Sequence, residues 1–287
     1  MVARLIRYGS YPVIFGSAAW ALMALATRGA APWPAFAAIA LVAIALVALL
    51  ERVQPYHREW LTDHNDTLTD LVHVLVNFGL LSGTAFALHA SRDMLPQGAW
   101  WPITWPVWAQ VLLAGAILDL GLYTMHRLSH QVGWLWRLHA AHHSALRLYW
   151  MNGERRHPLS AIVLAAPGLL VAVGLGAPPL IISTWLALLS VHLAFQHANL
   201  DYSLGPLRAV VGVAESHRWH HKREYEDAQV NFGEFWLLWD HLIGTYHDSR
   251  TILGARDVGL SDASFPTRYG EQLRWPFASR RLSARRT

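Results

Sequence analysis

The sequence predicts an all-α fold: a multi-span transmembrane helix bundle of about four to six spans, carrying a cytoplasmic histidine-rich helical cap. Three observations carry this expectation. Of the 287 residues, 54% are hydrophobic and 15% charged, with a mean hydropathy of +0.24, too apolar for an ordinary soluble domain. The apolar stretches approach the roughly 20 residues that cross a bilayer as helix, and polar segments rich in Arg and His separate them. The 17 histidines are gathered into clusters instead of being spread along the chain.

One membrane domain is expected over residues 1–287. Residues 1–67 form N-terminal spans and an interfacial segment, residues 68–248 a histidine-rich core, and residues 249–287 a polar basic tail. Arg4 and Arg7 precede an apolar segment over residues 11–26. It has features of a signal peptide but reads better as an uncleaved first span, because a second apolar segment over residues 36–50 follows closely. Residues 51–67 are polar and mixed, a surface loop or interfacial helix in which His57 and His64 are solvated or interfacial. A third span over residues 68–90 opens with Asp66, Asp70, His73 and Asn77 on one helical face. Those groups either cap the span by hydrogen-bonding a neighbour or join a site. A fourth span over residues 106–125 runs straight into His126, and two more, residues 159–176 and 179–195, flank a hairpin marked by Pro178 and Pro179. The last ninety residues are polar and carry no further span. With both termini cytoplasmic, six spans leave only Arg28 and Arg92 of the 23 Lys and Arg outside. The net charge of +4 and pI near 9.6 then reflect cytoplasmic loops beside anionic lipid headgroups, not a nucleic-acid partner. Several tryptophans, Trp100, Trp101, Trp105 and Trp108 among them, stand where an interfacial belt belongs. Arg280, Arg281, Arg285 and Arg286 read as a disordered basic tail.

The histidine clusters carry the chemistry. His126 and His130 are an i,i+4 pair, and His139 stands in the same relation to His142 and His143. His217, His220 and His221 repeat the His-x-x-His-His spacing after a long apolar interval. At this histidine frequency chance supplies roughly 0.06 such triplets, so two are not accidental. His192 and His197 are five residues apart and do not share a helical face. His197, nearer the membrane surface, is the one expected to join the site. His126, His130, His139, His142, His143, His197, His217, His220 and His221 are therefore the candidate ligands, too many for one ion and suited to two with four or five each. Adjacent side chains of a His-His pair diverge by about 100° on a helix, so they can serve different ions. The chain has no cysteine, which excludes thiolate ligands and disulfides. Imidazole alone suits iron, zinc, copper and nickel alike. Asp119 lies two turns before His126, placed to support a metal-bound imidazole. His157, His192 and Asp70 are open candidates for the same site.

These motifs resemble the fatty acid hydroxylase and sterol desaturase superfamily of integral-membrane di-iron enzymes. The resemblance runs from about residue 66 to residue 248. It rests on Asp119-Leu-Gly-Leu-Tyr-Thr-Met-His-Arg-Leu-Ser-His130, His139-Ala-Ala-His-His143, Arg156-His-Pro-Leu159, His197-Ala-Asn199 and His217-Arg-Trp-His-His221. Asn231-Phe-Gly233, Trp239-Asp240 and Gly244-Thr245 also match. Some members carry a His-x-x-x-His pair near the position of His197, a spacing this chain departs from. The resemblance implies two iron ions, O2 as co-substrate and an external electron source, an electron-transfer protein or a small reductant. The implied reaction is hydroxylation of a lipid C–H bond, with the lipid arriving from the bilayer.

Elementary chemistry agrees with that implication. An unactivated C–H bond needs a redox-active metal, which zinc is not. There is no Gly-x-x-x-x-Gly-Lys or Gly-x-Gly-x-x-Gly stretch to bind a nucleotide and no Cys-x-x-Cys-His haem site, so electrons arrive from elsewhere. Desaturation on the same scaffold is the alternative reaction. A histidine-rich metal transporter would instead place ionisable groups through the middle of several spans. An intramembrane metalloprotease would need His-Glu-x-x-His, which is missing.

Overall fold

The computed structural model describes residues 1–29, 33–95, 100–262 and 264–278; the Arg-rich tail beyond lies outside the described residues. Five helices are long and apolar enough to cross a membrane: α1 (Val2–Thr27), α2 (Trp33–Val53), α3 (Thr67–Ala90), α4 (Val107–Gln131) and, later in the chain, α7 (Pro179–His197). Between them come α5 (Gly133–His143) and α6 (Pro158–Gly174). The sixth expected span, α6, is a shorter apolar helix of 17 residues. Then follow α8 (Ala214–His220), α9 (Leu238–Ile243) and α10 (Tyr269–Arg274). No strand is formed among the described residues, only isolated bridges such as Val211 with Trp236.

The helices start and stop where backbone chemistry requires. Pro158 and Pro179 stand at the first positions of α6 and α7, where a missing N–H costs nothing. The His157 side chain accepts the Leu159 N–H at the start of α6. α1 begins well before residue 11. Its first turns lie beyond the apolar stretch, and there Arg7 pairs with Asp201 at 3.0 Å.

Helix α7 is the axis of the bundle: from Ile181 to His197 every residue is buried. Neighbours cover every face of it, so its apolar residues pack all round and its polar ones, such as His192 and Gln196, find partners inside the protein. α1, α2, α3 and α4 surround it, and α6 packs on α4. Gly121 and Gly168 let α4 and α6 touch backbone to backbone; a Cβ on Gly121 would sit 2.5 Å from the Gly168 nitrogen. Leu41, Val42, Leu75, Phe86, Leu120, Leu170 and Val171 point outward as an exposed apolar belt, as expected of a surface solvated by lipid.

The chain alternates direction, so one end of the bundle collects residues 51–67, 131–158 and 197–231. The polar face of α3 is a clamp on that end. Asp66 binds Arg147 at 2.8 Å, and Asp70 pairs with Arg155 while accepting from Tyr149 at 2.7 Å and Asn152 at 3.2 Å. His73 bonds the Arg156 carbonyl and Gln272, and Asn77 donates to the carbonyls of Glu154 and Arg156. Of the two roles expected for this face, hydrogen-bonding to neighbouring segments is the one these contacts perform.

The C-terminal third holds no further helix of spanning length among the described residues, but it is not all outside the bundle. Phe235 reaches Trp185 and His192 of α7 with ring centroids 4.9 and 4.3 Å away, so residues 232–237 enter the bundle below the histidines. Irregular backbone at that depth needs protein partners for its polar groups. Asp119 accepts from the N–H of Phe235 at 2.8 Å, of Trp236 at 3.1 Å, and from the Trp239 indole at 3.0 Å. Gln196 donates to the carbonyls of Gly233 and Glu234, and Asp240 accepts from Phe232 and Gly233.

Candidate metal centre

The histidines converge because each pair sits on a short rigid piece. His126 and His130 are one turn apart at the end of α4, His139 and His143 one turn apart on α5, and His220 ends α8. These five form one group, and His142, His197, His217 and His221 form another; within each group the ligand nitrogens lie within 4.8 Å of one another. All are buried. His142 and its neighbour His143 fall in different groups, as do His220 and His221. The helical divergence of adjacent side chains produces that split.

The nitrogen atoms are arranged so that each group could hold a metal ion. His126 Nδ1 donates to the Phe232 carbonyl at 2.8 Å and His220 Nδ1 to the Val230 carbonyl at 2.9 Å. This fixes the tautomer and leaves each Nε2 as a lone pair, and neither Nε2 has a partner among the described residues. Both ring nitrogens of His139 and the Nδ1 atoms of His142 and His217 are likewise buried without a partner. His130 and His143 bring their Nε2 atoms to 3.1 Å, as do His197 and His217. Lone pairs so close are reconciled by a shared cation or proton. Burial, reinforced by neighbouring imidazoles, holds His139, His142, His143, His217, His220 and His221 well below the ordinary value of 6.5, so they are neutral and able to ligate. The donor set fits two ions of the borderline kind that imidazole prefers.

Asp119 does not touch a histidine. The partner of His126 is the Phe232 carbonyl, and Asp119 acts one step further away by holding residues 235 and 236. A carboxylate two turns below His126 on the same helix is too deep to reach the ring, so it takes the backbone amides that enter at its own level. His192 also stays out, bonded to the Tyr11 hydroxyl and the Gly212 carbonyl. His157 bonds the Leu273 carbonyl, and Asp70 serves the clamp. His57 is half-buried and bonded to the Leu253 carbonyl, whereas His64 is exposed.

Glu234 is the residue that sequence reasoning passed over. Fully buried, it binds Arg156 at 2.8 Å through one oxygen and brings the other to 3.6 Å from His126 Nδ1. Burial would raise this carboxyl, but the charge and hydrogen bond of Arg156 outweigh it and hold it below the ordinary 4.5. The signal was available: Glu234 is the one charge in the apolar run from Val230 to Leu238. On its other side Arg156 lines a cavity of about 220 Å³ between α3, α4, α6 and α7, walled by Leu80, Leu118, Ala165 and Leu186.

The fatty acid hydroxylase family model matches residues 111–245, a stretch that contains both histidine groups. Ornithine lipid hydroxylase OlsE of Rhizobium tropici is 33% identical over 79% of this chain and 71% of its own length. The chain belongs to the fatty acid hydroxylase family. Other relatives in this family are alkylglycerol monooxygenase of Homo sapiens, 26% identical over 51% of this chain and 32% of its own, and methylsterol monooxygenase 1 of Danio rerio, 24% identical over 60% and 58%. No solved structure matches. As a fatty acid hydroxylase family member, the chain is an oxidoreductase of the multi-pass membrane type, and its histidine groups fit the family's two-metal centre.

Proposed function

We propose that this protein hydroxylates a C–H bond of a membrane lipid, using O2, two iron ions and electrons from an external donor. The observation that carries this reading is the juxtaposition of two buried all-histidine groups with an apolar cavity, joined through Glu234 and Arg156. The relatives' names point to lipid-derived substrates, which suits a cavity walled by leucine and alanine side chains.

His126, His130, His139, His143 and His220 would hold one ion, and His142, His197, His217 and His221 the other. Iron, when bound, supplies the oxidising power that an unactivated C–H bond demands. The chain's own residues do the rest. Carbonyls of Phe232 and Val230 orient the imidazoles, and that of Leu193 orients His197. The cavity binds the alkyl chain and keeps water from it. Arg156 and Glu234 form the polar partition between chain and centre. With the histidine end on the cytoplasmic side, as the Lys and Arg distribution supports, a soluble electron-transfer protein or small reductant reaches the centre from water while the lipid enters from the bilayer.

Comparing lipids of cells with and without the gene identifies the substrate. The purified iron-loaded protein, given that lipid, reductant and ¹⁸O2, should then yield a product with one labelled oxygen. An unlabelled product with a new double bond would move the assignment to desaturation. Unchanged lipid with a loaded centre and a working reductant would sink the reading.

A further inference from the structure

Glu154 ends the short turn Trp150–Glu154 and lines two cavities at once. One is the 220 Å³ cavity beside Arg156; the other, about 330 Å³, lies between α2, α3 and α7 and is walled by Leu41, Ile44, Val74 and Phe78. Both are apolar. The Glu154 backbone is fixed, since its carbonyl accepts from Asn77 at 2.8 Å and from the Arg156 N–H at 2.8 Å. Its carboxylate, by contrast, accepts no hydrogen bond from any described residue. The neighbouring Arg156 guanidinium donates instead to Glu234 at 2.8 Å and to the Gly153 carbonyl at 3.0 Å. Glu154 is half-buried, and a carboxyl facing two apolar cavities with no protein donor is a group that a ligand can satisfy. Burial pushes it above its ordinary value, the direction expected of a carboxyl lacking a donor.

We infer that Glu154 is a substrate-positioning residue, and that the lipid this protein accepts carries a hydrogen-bond donor, a hydroxyl, amide N–H or protonated amine, which Glu154 receives while the alkyl portion fills the adjoining cavity. This rests on the lipid-oxidising reading and adds to it the chemistry of the substrate's polar part. Anchoring that group at Glu154 fixes how far along the chain the oxidised carbon lies. A lipid offering only acceptors there would leave the carboxyl unpaired and meet the repulsion of its charge.

The test is equilibrium binding to the full-length, iron-loaded protein in detergent, read by tryptophan fluorescence. Three probes share one chain length: tetradecylamine, tetradecan-1-ol and methyl tetradecyl ether. Wild type should bind the amine and the alcohol at least tenfold more tightly than the ether. Glu154→Leu should abolish that preference, and Glu154→Gln should keep the alcohol while losing the amine's advantage. Metal content and Tm should stay at the wild-type level, because the backbone bonds of residue 154 do not depend on its side chain. Equal binding of all three probes to wild type, no binding of any, or an undiminished preference in Glu154→Leu would overturn the inference. If Glu154→Leu fails to fold, the wild-type probe series and Glu154→Gln still decide. Binding is read without turnover, so an expected probe preference combined with unoxidised lipid would count against the reaction and not against this site.

Discussion

Asp119, in the middle of α4, accepts the backbone N–H of Phe235 at 2.8 Å, 116 residues further along the chain. With the bonds from Trp236 and Trp239, this contact draws residues 232–237 into the bundle. The insertion places the Phe232 carbonyl on His126 and the Glu234 carboxylate beside it. One carboxylate inside a span thereby fixes the backbone beside the histidine groups without touching a histidine.

Asp119→Asn keeps the shape but weakens charge-assisted bonds, each worth about 1.5–3 kcal/mol. The expected outcome is a lower Tm and a loss of metal affinity or rate of about 10–100-fold, the range for residues that support ligands from outside. Thermal melts and metal titration check both. Wild-type Tm and affinity would show the insertion to be held by other bonds.

Glu234→Leu leaves the buried Arg156 cation unpaired and should cost about 3–5 kcal/mol. The double variant Arg156→Leu with Glu234→Leu should recover most of that stability without recovering activity. Denaturant melts of the two single variants and the double variant give the coupling energy. Additive losses would mean that the pair does not interact.

Metal analysis of gently purified protein should find close to two ions per chain, one for each histidine group. The groups differ in ligand number, and that difference is testable. Loss of His142 or His221 leaves three nitrogens in the smaller group and should release its ion, whereas loss of His139 leaves four in the larger and should weaken retention less. His247→Ala, outside both groups, should leave metal content unchanged. A single ion in well-folded wild type would sink the two-metal reading.

Since the chain has no cysteine, its sidedness is directly measurable. Arg28→Cys and Asp93→Cys, at the end of the bundle away from the histidines, should react with an impermeant thiol reagent applied to intact cells. Glu226→Cys, exposed at the histidine end, should not react until the cells are opened. The opposite pattern would place the histidine centre outside.

The sequence by itself determined the helical class, the run of apolar spans and the convergence of three histidine clusters. Each of these is a local pattern: apolar runs of bilayer length, and imidazoles one helical turn apart. That His142 and His143 would point to different groups also follows from helical geometry alone. The tertiary structure decided what no period encodes. It assigned Asp119 to Phe235 and not to His126, turned the polar face of α3 into a clamp on Arg147 and Arg155, and carried Glu234 into the bundle to meet Arg156. Residues 232–237 look like an exposed loop in sequence because they carry no spanning helix. They are buried because Asp119, Gln196 and Asp240, scattered over more than a hundred residues, supply the hydrogen bonds that the bilayer interior cannot.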